Sequence, residues 1–194
     1  MMRSIYFATT NRGKLLTFGN TMSKYGIKVV QADLEVPEIQ ANDVKPITRE
    51  KVLHAYRRIG KPCVAMDTGL YIDSLNGLPG PMIKWWIEAL GAKGMLKVLK
   101  GKSTECEFRQ CIAYMDGKLK EPIYFQGIVR GKTVRSIRGV SKDFHWSEMF
   151  YIFVPAGERK TLAQMTKEEY YAWRDRSRAE KYEADFARFL LRRR

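Results

Sequence analysis

Within the first 32 residues, Ser4 to Thr10 alternates apolar and polar side chains, Asn11 opens a polar and basic turn, and residues 13–25 read as a helix. Gly26 supplies the helix stop, and Ile27 to Ala32 is again strand-like. Strand, short loop, helix, strand is the opening of an α/β layout, which rules out an all-helical or all-β fold for this part of the chain.

The rest of the chain continues that layout and then leaves it. Residues 33–46 read as loop and hold Glu35, Pro37, Glu38, Asn42 and Asp43. Thr48 is placed to cap a helix running to about residue 59, with Val52, Ala55 and Tyr56 on one face, and Gly60, Lys61 and Pro62 end it before a strand from Cys63. Residues 82–90 and 92–99 read as two short helices separated by Gly91. Cys106 to Met115, Pro122 to Val129 and Lys132 to Arg138 are strand-like, with turns at Asp116-Gly117 and Arg130-Gly131, so an antiparallel hairpin region is expected. Residues 141–153 are rich in aromatics. A long helix follows over 166–191, opened by a capping box of Thr166 and Glu169. One domain over 1–194 is expected, with one lobe holding the termini, about 1–105 and 155–194, and a hairpin-rich lobe over about 106–154.

Composition limits the function classes. A hydrophobic share of 45% predicts a folded chain, yet no apolar run approaches the roughly 20 residues needed to cross a bilayer. The N-terminus leads straight into a strand without the apolar core of a signal peptide, so a cytoplasmic protein with no membrane partner is expected. Cys63, Cys106 and Cys111 are odd in number and lack zinc-site spacing, which predicts reduced, buried thiols. Thirty-five Lys and Arg against 21 Asp and Glu leave a formal charge of +14, which points to an anionic partner, either nucleic acid or a polyphosphate ligand, and reads also as a merely soluble basic surface; net charge alone does not choose among them.

Three groups of residues carry candidate chemistry. The segment Cys63 to Trp86, CVAMDTGLYIDSLNGLPGPMIKWW, delivers one carboxylate, Asp67, from an apolar run into a glycine- and proline-rich loop, where Gly69, Gly77 and Gly80 leave room for a ligand. The strand-to-helix turn TTNRGK offers helix-start N–H groups with Thr9, Asn11 and Lys14 to a phosphate, but taken alone it reads first as a capped helix with a solvated lysine. It lacks the GxxxxGK[ST] pattern of a Walker A loop. Phosphoanhydride hydrolysis needs a divalent ion, carboxylates to hold it and a base to orient water; Glu38 and Asp67 can supply both, with Asp73, Lys51 and Lys84 as further charges. The third group is Phe144, His145, Trp146, Ser147 and Glu148 with Tyr170, Tyr171, Trp173, Arg174, Asp175 and Arg176. Rings and polar edges of this kind suit a nucleobase or single-stranded nucleic acid, and also an ordinary core. His54 has no partner at metal-ligand spacing, and no serine elbow supports acyl transfer.

Taken in order, TTNRGKL, VPEIQ, AMDTGLYIDSLNGLPGPMIKWW, DFHWSEMF and the TKEE-initiated helix with RDR resemble the inosine triphosphate pyrophosphatase, or Ham1-like, family, over about residues 5–179. Its members hydrolyse nonstandard purine nucleoside triphosphates to monophosphate and pyrophosphate. The resemblance implies an elongated mixed twisted sheet flanked by helices, two lobes with a central nucleotide-binding cleft, Mg²⁺ as cofactor and a homodimer. It assigns Thr9, Asn11, Lys14, Lys51 and Lys84 to the phosphates, Glu38 and Asp67 to the metal, and Asp67 to general-base catalysis. Phe144, Trp146, Ser147, Arg174, Asp175 and Arg176 fall on its base pocket.

The chain departs from the family pattern at three places. Met66 stands where members carry an acidic residue, Phe144-His145-Trp146-Ser147-Glu148 replaces Phe-Gly-Trp-Asp-Pro, and Arg174-Asp175-Arg176 replaces Ser-His-Arg. A histidine can donate to the 6-keto oxygen of inosine or xanthosine, whereas ionised Asp175 only accepts. The expectation is therefore hydrolysis of (deoxy)nucleoside triphosphates to monophosphate plus pyrophosphate, with base selectivity shifted from inosine and xanthosine. The alternatives are a nucleotide-binding module with weakened catalysis and, ranked last, a basic nucleic-acid-binding protein.

Overall fold

β1 (Arg3–Ala8), α1 (Arg12–Ser23) and β2 (Ile27–Ala32) realise the opening strand, helix and strand, and the two strands pair in parallel with Ile5 opposite Val29. The computed structural model describes residues 3–36, 39–145, 147–176 and 181–193. Asn11 caps α1 by accepting the Lys14 N–H at 2.9 Å.

α2 (Val44–Ile59) begins earlier than its sequence pattern predicts. Asp43 is the cap, accepting from Lys45 N at 2.8 Å, while Thr48 is buried inside the helix with its hydroxyl donating to the Val44 carbonyl at 2.6 Å. Pro46 makes the segment look like loop, yet the first helical turn has no internal acceptor for its N–H groups and tolerates a residue without one. Gly60 closes the helix in the left-handed region, φ 64°, with its N–H on Tyr56 O.

The remaining elements are β3 (Cys63–Ile72), β4 (Pro79–Gly80), α3 (Ile83–Val98), β5 (Glu105–Met115), β6 (Ile123–Thr133), β7 (Phe153–Pro155), α4 (Lys167–Arg176) and α5 (Lys181–Arg192). The described strands form one seven-stranded sheet in the order β2-β1-β3-β5-β6-β7, with β4 paired to β3. β1 and β3 run parallel, whereas β3 with β4 and β6 with β7 are antiparallel, so the sheet is mixed. The chain is α/β, as its opening elements predict.

A further local reading changes. No turn interrupts Arg130-Gly131: β6 continues to Thr133, with Gly131 opposite Pro155. A Cβ on Gly131 would collide with the Val154 carbonyl and the Phe153 ring, so this glycine serves close strand approach. Gly69 likewise packs against the backbone of Gly80 and Pro81, where a Cβ would come within 2.9 Å. The expected helix over 166–191 is described as α4 and α5, and its continuity across 177–180 lies outside the described residues. Its capping box is present: Glu169 N donates to Thr166 Oγ1 at 3.1 Å and Thr166 N to Glu169 Oε2 at 2.9 Å. α3 is broken at Gly91, φ 60° and ψ 177°, into the two helical stretches anticipated.

Two compact units divide the chain, one of residues 1–68, 110–127 and 180–194, the other of 69–109 and 128–179. In the first unit strand alternation feeds two hydrophobic clusters. Val64, Met66, Ile112 and Tyr114 join Phe7, Phe18, Met22 and Phe186 on one side, while Cys63, Ala65, Ala113 and Met115 join Val52 and Ala55 of α2 on the other. Burial on both faces explains why Cys63 to Met66 reads as an unbroken apolar run. The second unit is built around Leu70, Ile72, Met95, Phe150, Phe153, Tyr170 and Trp173. The three cysteines are free and buried, and burial pushes the thiols of Cys63 and Cys106 up to about 12 and that of Cys111 to about 11. No helix among the described residues is long and apolar enough to cross a membrane.

Candidate active site

Asp67 follows Cys63 and Ala65 on the face of β3 covered by α2, because every second residue of a strand shares a face. Lys51, one residue before the core residue Val52, brings its ammonium from α2 to within 3.1 Å of Asp67 Oδ1. Lys14, in the first turn of α1, reaches the Met66 carbonyl at 3.3 Å and the same Asp67 oxygen at 3.4 Å. Both Lys51 and Asp67 are 8% exposed, so the pairing takes place largely away from water. Oδ2 of Asp67 receives no hydrogen bond from the described residues.

Thr9 and Asn11 first build the turn that carries Lys14. Thr9 Oγ1 accepts the Asn11 N–H at 3.1 Å, and the Thr9 carbonyl accepts from Gln31 Nε2 at 3.0 Å. Helix geometry leaves the N–H groups of Arg12 and Gly13 without an intrahelical acceptor, at the positive end of the α1 dipole. The two readings of TTNRGK therefore coexist: a capped helix start is also a cradle for an anion. Glu38 lies outside the described residues, and the described residues contain no cluster of three or more His, Cys, Asp or Glu able to hold a metal. Met66 turns away from Asp67 into the hydrophobic cluster, its sulfur 4.0 Å from the Tyr182 hydroxyl.

The remaining expected site residues belong to the second unit. Lys84 is exposed, 3.9 Å from Glu88 and 5.2 Å from the Trp85 ring centroid. Phe144 is buried, its ring 5.3 Å from that of Tyr170. Trp146 lies outside the described residues. Ser147 Oγ accepts the Met149 N–H at 3.3 Å, and Arg174 places one guanidinium nitrogen 3.3 Å from the Tyr170 hydroxyl. Asp175 and Arg176 are exposed, with Arg176 paired to Glu158 at 2.8 Å. Asp73 opens a 3₁₀ turn at the end of β3.

Other polar contacts carry no sequence signal of their own. Glu148 Oε2 accepts the Ala92 N–H at 2.6 Å and so caps the stretch of α3 that restarts after Gly91. His145 accepts the Lys142 N–H on Nδ1 at 3.2 Å, its ring 4.8 Å from that of Phe150; burial and then Lys142 hold its pKa below the usual histidine value. Asp116 was expected only to shape a turn. It takes the Arg193 guanidinium at 2.6 and 3.0 Å, the Tyr114 hydroxyl at 2.7 Å and the Lys118 N–H at 2.9 Å.

Comparison with known proteins finds relatives over most of the chain. The chain is 38% identical over 169 residues to the inosine triphosphate pyrophosphatase of Emericella nidulans, covering 87% of each chain. It is 32% identical over 166 residues to the dITP/XTP pyrophosphatase of Methanopyrus kandleri, covering 85% of this chain and 86% of the relative. The crystal structure of the nucleoside-triphosphatase / dITP/XTP pyrophosphatase of Mycobacterium abscessus superposes with a TM-score of 0.71 at 26% identity, covering 91% of this chain and 96% of that one. With the profile of the Ham1 family matching residues 5–184, this chain belongs to the Ham1 family.

Proposed function

We propose that this chain is a nucleoside triphosphate pyrophosphatase, cleaving between the α- and β-phosphoryl groups to release a monophosphate and pyrophosphate. The observation that carries the reading is the buried Asp67 carboxylate in the middle of β3, held by Lys14 from the first turn of α1 and by Lys51 from α2. Asp67 takes a proton from water as the water oxygen attacks the α-phosphorus; the bond to the bridging oxygen breaks and its electron pair leaves with pyrophosphate. Lys14 and Lys51 neutralise charge on the phosphate oxygens as it builds in the transition state, and Thr9, Asn11 and the α1 N-terminus orient the phosphates. Lys84 is assigned to the same phosphates by family resemblance.

A hard divalent cation fits this donor set, since such ions are commonly held by one or two carboxylates plus substrate phosphates. Asp67, through Oδ2, and Glu38 would hold Mg²⁺, which when bound neutralises phosphate oxygens and orients the attacking water. Met66 removes one family carboxylate, yet the Asp67 pairing on which catalysis depends is complete without it. That favours an active enzyme over a weakened binding module.

Base selectivity shifted away from inosine and xanthosine is part of the proposal. Phe144 and Trp146 provide the rings, with Ser147, Arg174, Asp175 and Arg176 as edge readers. Ionised Asp175 accepts only, so an amino group or ring N–H suits it better than a keto oxygen, and a mismatched polar group shifts selectivity by orders of magnitude. A homodimer is the proposed assembly; Met82, the N-cap of α3, and Trp85 in its first turn are exposed and give it an apolar contact face. Pyrophosphate release is to be measured across ordinary, deaminated and modified nucleoside triphosphates, with and without Mg²⁺. Asp67→Asn should abolish turnover in a folded protein, and substantial residual turnover would remove Asp67 as the base. Fastest turnover of inosine triphosphate would refute the selectivity shift alone.

A further inference from the structure

Two stretches of the chain contain no acidic residue at all: none lies between Glu88 and Glu105, and none between Glu121 and Asp143. The first carries Lys93, Lys97, Lys100 and Lys102, the second Arg130, Lys132, Arg135, Arg138 and Lys142. In the second unit they meet around a cavity of about 310 Å³, into which Lys93, Lys97, Lys100 and Arg135 all contribute. Leu96, Leu99 and Val134 form its apolar walls, and Thr104 adds one hydroxyl.

Lysines near a helix C-terminus ordinarily complement the negative end of the dipole, which accounts for Lys97 in the last turn of α3 and for Lys100 just beyond it. It does not account for Lys93 one turn earlier, nor for Arg135, which comes from the chain after β6. Positions 93, 97 and 100 are spaced four and three apart, so a helical path turns all three toward one side. None of the four cations is engaged in an ion pair among the described residues. The flanking acid Glu105 is exposed and pairs with none of them. Four exposed positive charges with no acidic partner among the described residues, set beside an apolar wall, repel one another and attract a compact multivalent anion.

We infer that this cavity is an anion site for a condensed phosphate, that is, a ligand with at least two linked phosphoryl groups. Its volume is at the lower end of ligand cavities, enough for a pyrophosphate or the phosphate tail of a nucleotide. No aromatic ring lines it, so it has neither a platform for stacked bases nor, beyond Thr104, groups to read one. The inference does not rest on the catalytic proposal, because no residue of the cavity is assigned to catalysis there.

Isothermal titration with inorganic pyrophosphate, and separately with a nucleoside triphosphate bearing a non-hydrolysable α–β bridge, tests it on the full chain without divalent metal. The readout is the difference between the wild-type protein and the double variant Lys97→Glu/Arg135→Glu. The variant should bind one equivalent fewer, or bind the weaker equivalent at least about tenfold less tightly, while its circular dichroism and turnover stay as in the wild type. Lys97→Gln/Arg135→Gln, without charge reversal, should give an intermediate loss. Loss of an equivalent of pyrophosphate identifies a free anion as a ligand, and loss seen only with the nucleotide identifies its phosphate tail. Unchanged isotherms in both variants overturn the inference. So does binding of a single-stranded oligonucleotide that is lost in the variants while neither condensed phosphate binds.

Discussion

The Lys51 ammonium and Asp67 Oδ1 stand 3.1 Å apart although 16 residues separate them, and both side chains are buried. The contact exists because α2 packs Val52 and Ala55 onto the face of β3 that Asp67 shares with Cys63 and Ala65. Lys51→Met should therefore damage stability and activity together. It leaves a buried carboxylate with Lys14 as its one described ammonium partner, which should cost about 2–3 kcal/mol, less than the loss of a fully buried pair. Turnover should fall by about 100-fold or more as a phosphate-facing charge disappears. Urea unfolding of Lys51→Met, Asp67→Asn and the double variant checks the pairing: the double variant should lose less stability than the sum of the singles.

Arg193 and Asp116 tie the end of the chain to the end of β5. The Arg193 guanidinium first, and then the Tyr114 and Lys118 donors, hold the Asp116 carboxyl down to about 2. A carboxyl with a depressed folded-state pKa stabilises the fold above its unfolded value and loses that contribution as the pH falls through the folded one. Thermal stability should thus decline between about pH 4 and pH 2 through this group. Arg193→Ala should flatten that decline and cost about 2 kcal/mol at neutral pH, measured by thermal melts across pH.

His145 predicts a second acid transition at higher pH. Burial and Lys142 lower its pKa, with Asp143 opposing, so the folded chain favours neutral imidazole. Unfolding then takes up a proton, and the contribution is present above about pH 6.5 and lost as the pH falls below it. His145→Gln should remove that slope below about pH 6.5 while leaving the Asp116 transition in place, which melts of the two variants side by side would resolve.

Gly131→Ala should destabilise the chain by about 2–3 kcal/mol, since the added methyl meets the Val154 carbonyl and the Phe153 ring in a paired strand that cannot move aside cheaply. Chemical denaturation measures the loss. Turnover per folded molecule should stay at the wild-type level.

Where a signal is confined to a few neighbouring residues, sequence and structure agree. Asn11 before α1, Gly60 after α2, the Thr166 and Glu169 box and the break at Gly91 are all set by hydrogen bonds or dihedral angles spanning three or four positions. The run from Cys63 to Met66 was equally plain, since burial on both faces demands continuous apolar residues. Asp67 does not end it in a loop: β3 continues to Ile72, and the carboxylate sits in mid-strand because Lys14 and Lys51 neutralise it there. The same residue types elsewhere misled: Pro46 suggested loop inside the first turn of α2, and Arg130-Gly131 suggested a turn inside β6. Their roles depend on what lies across from them, the unsatisfied end of a helix in one case and Phe153 and Val154 in the other.

By itself the sequence determined the α/β class, the buried thiols and the family resemblance, and it singled out Asp67 as the candidate around which the proposed chemistry is organised. Only the tertiary structure decided that Lys14 and Lys51 share one oxygen of that carboxylate, that Glu148 caps a helix 56 residues earlier, and that Arg193 closes on Asp116 across 77 positions. Local propensity acts over a single helical turn or strand pair, whereas a charge is paired by whichever side chain the packed elements bring within about 3 Å of it.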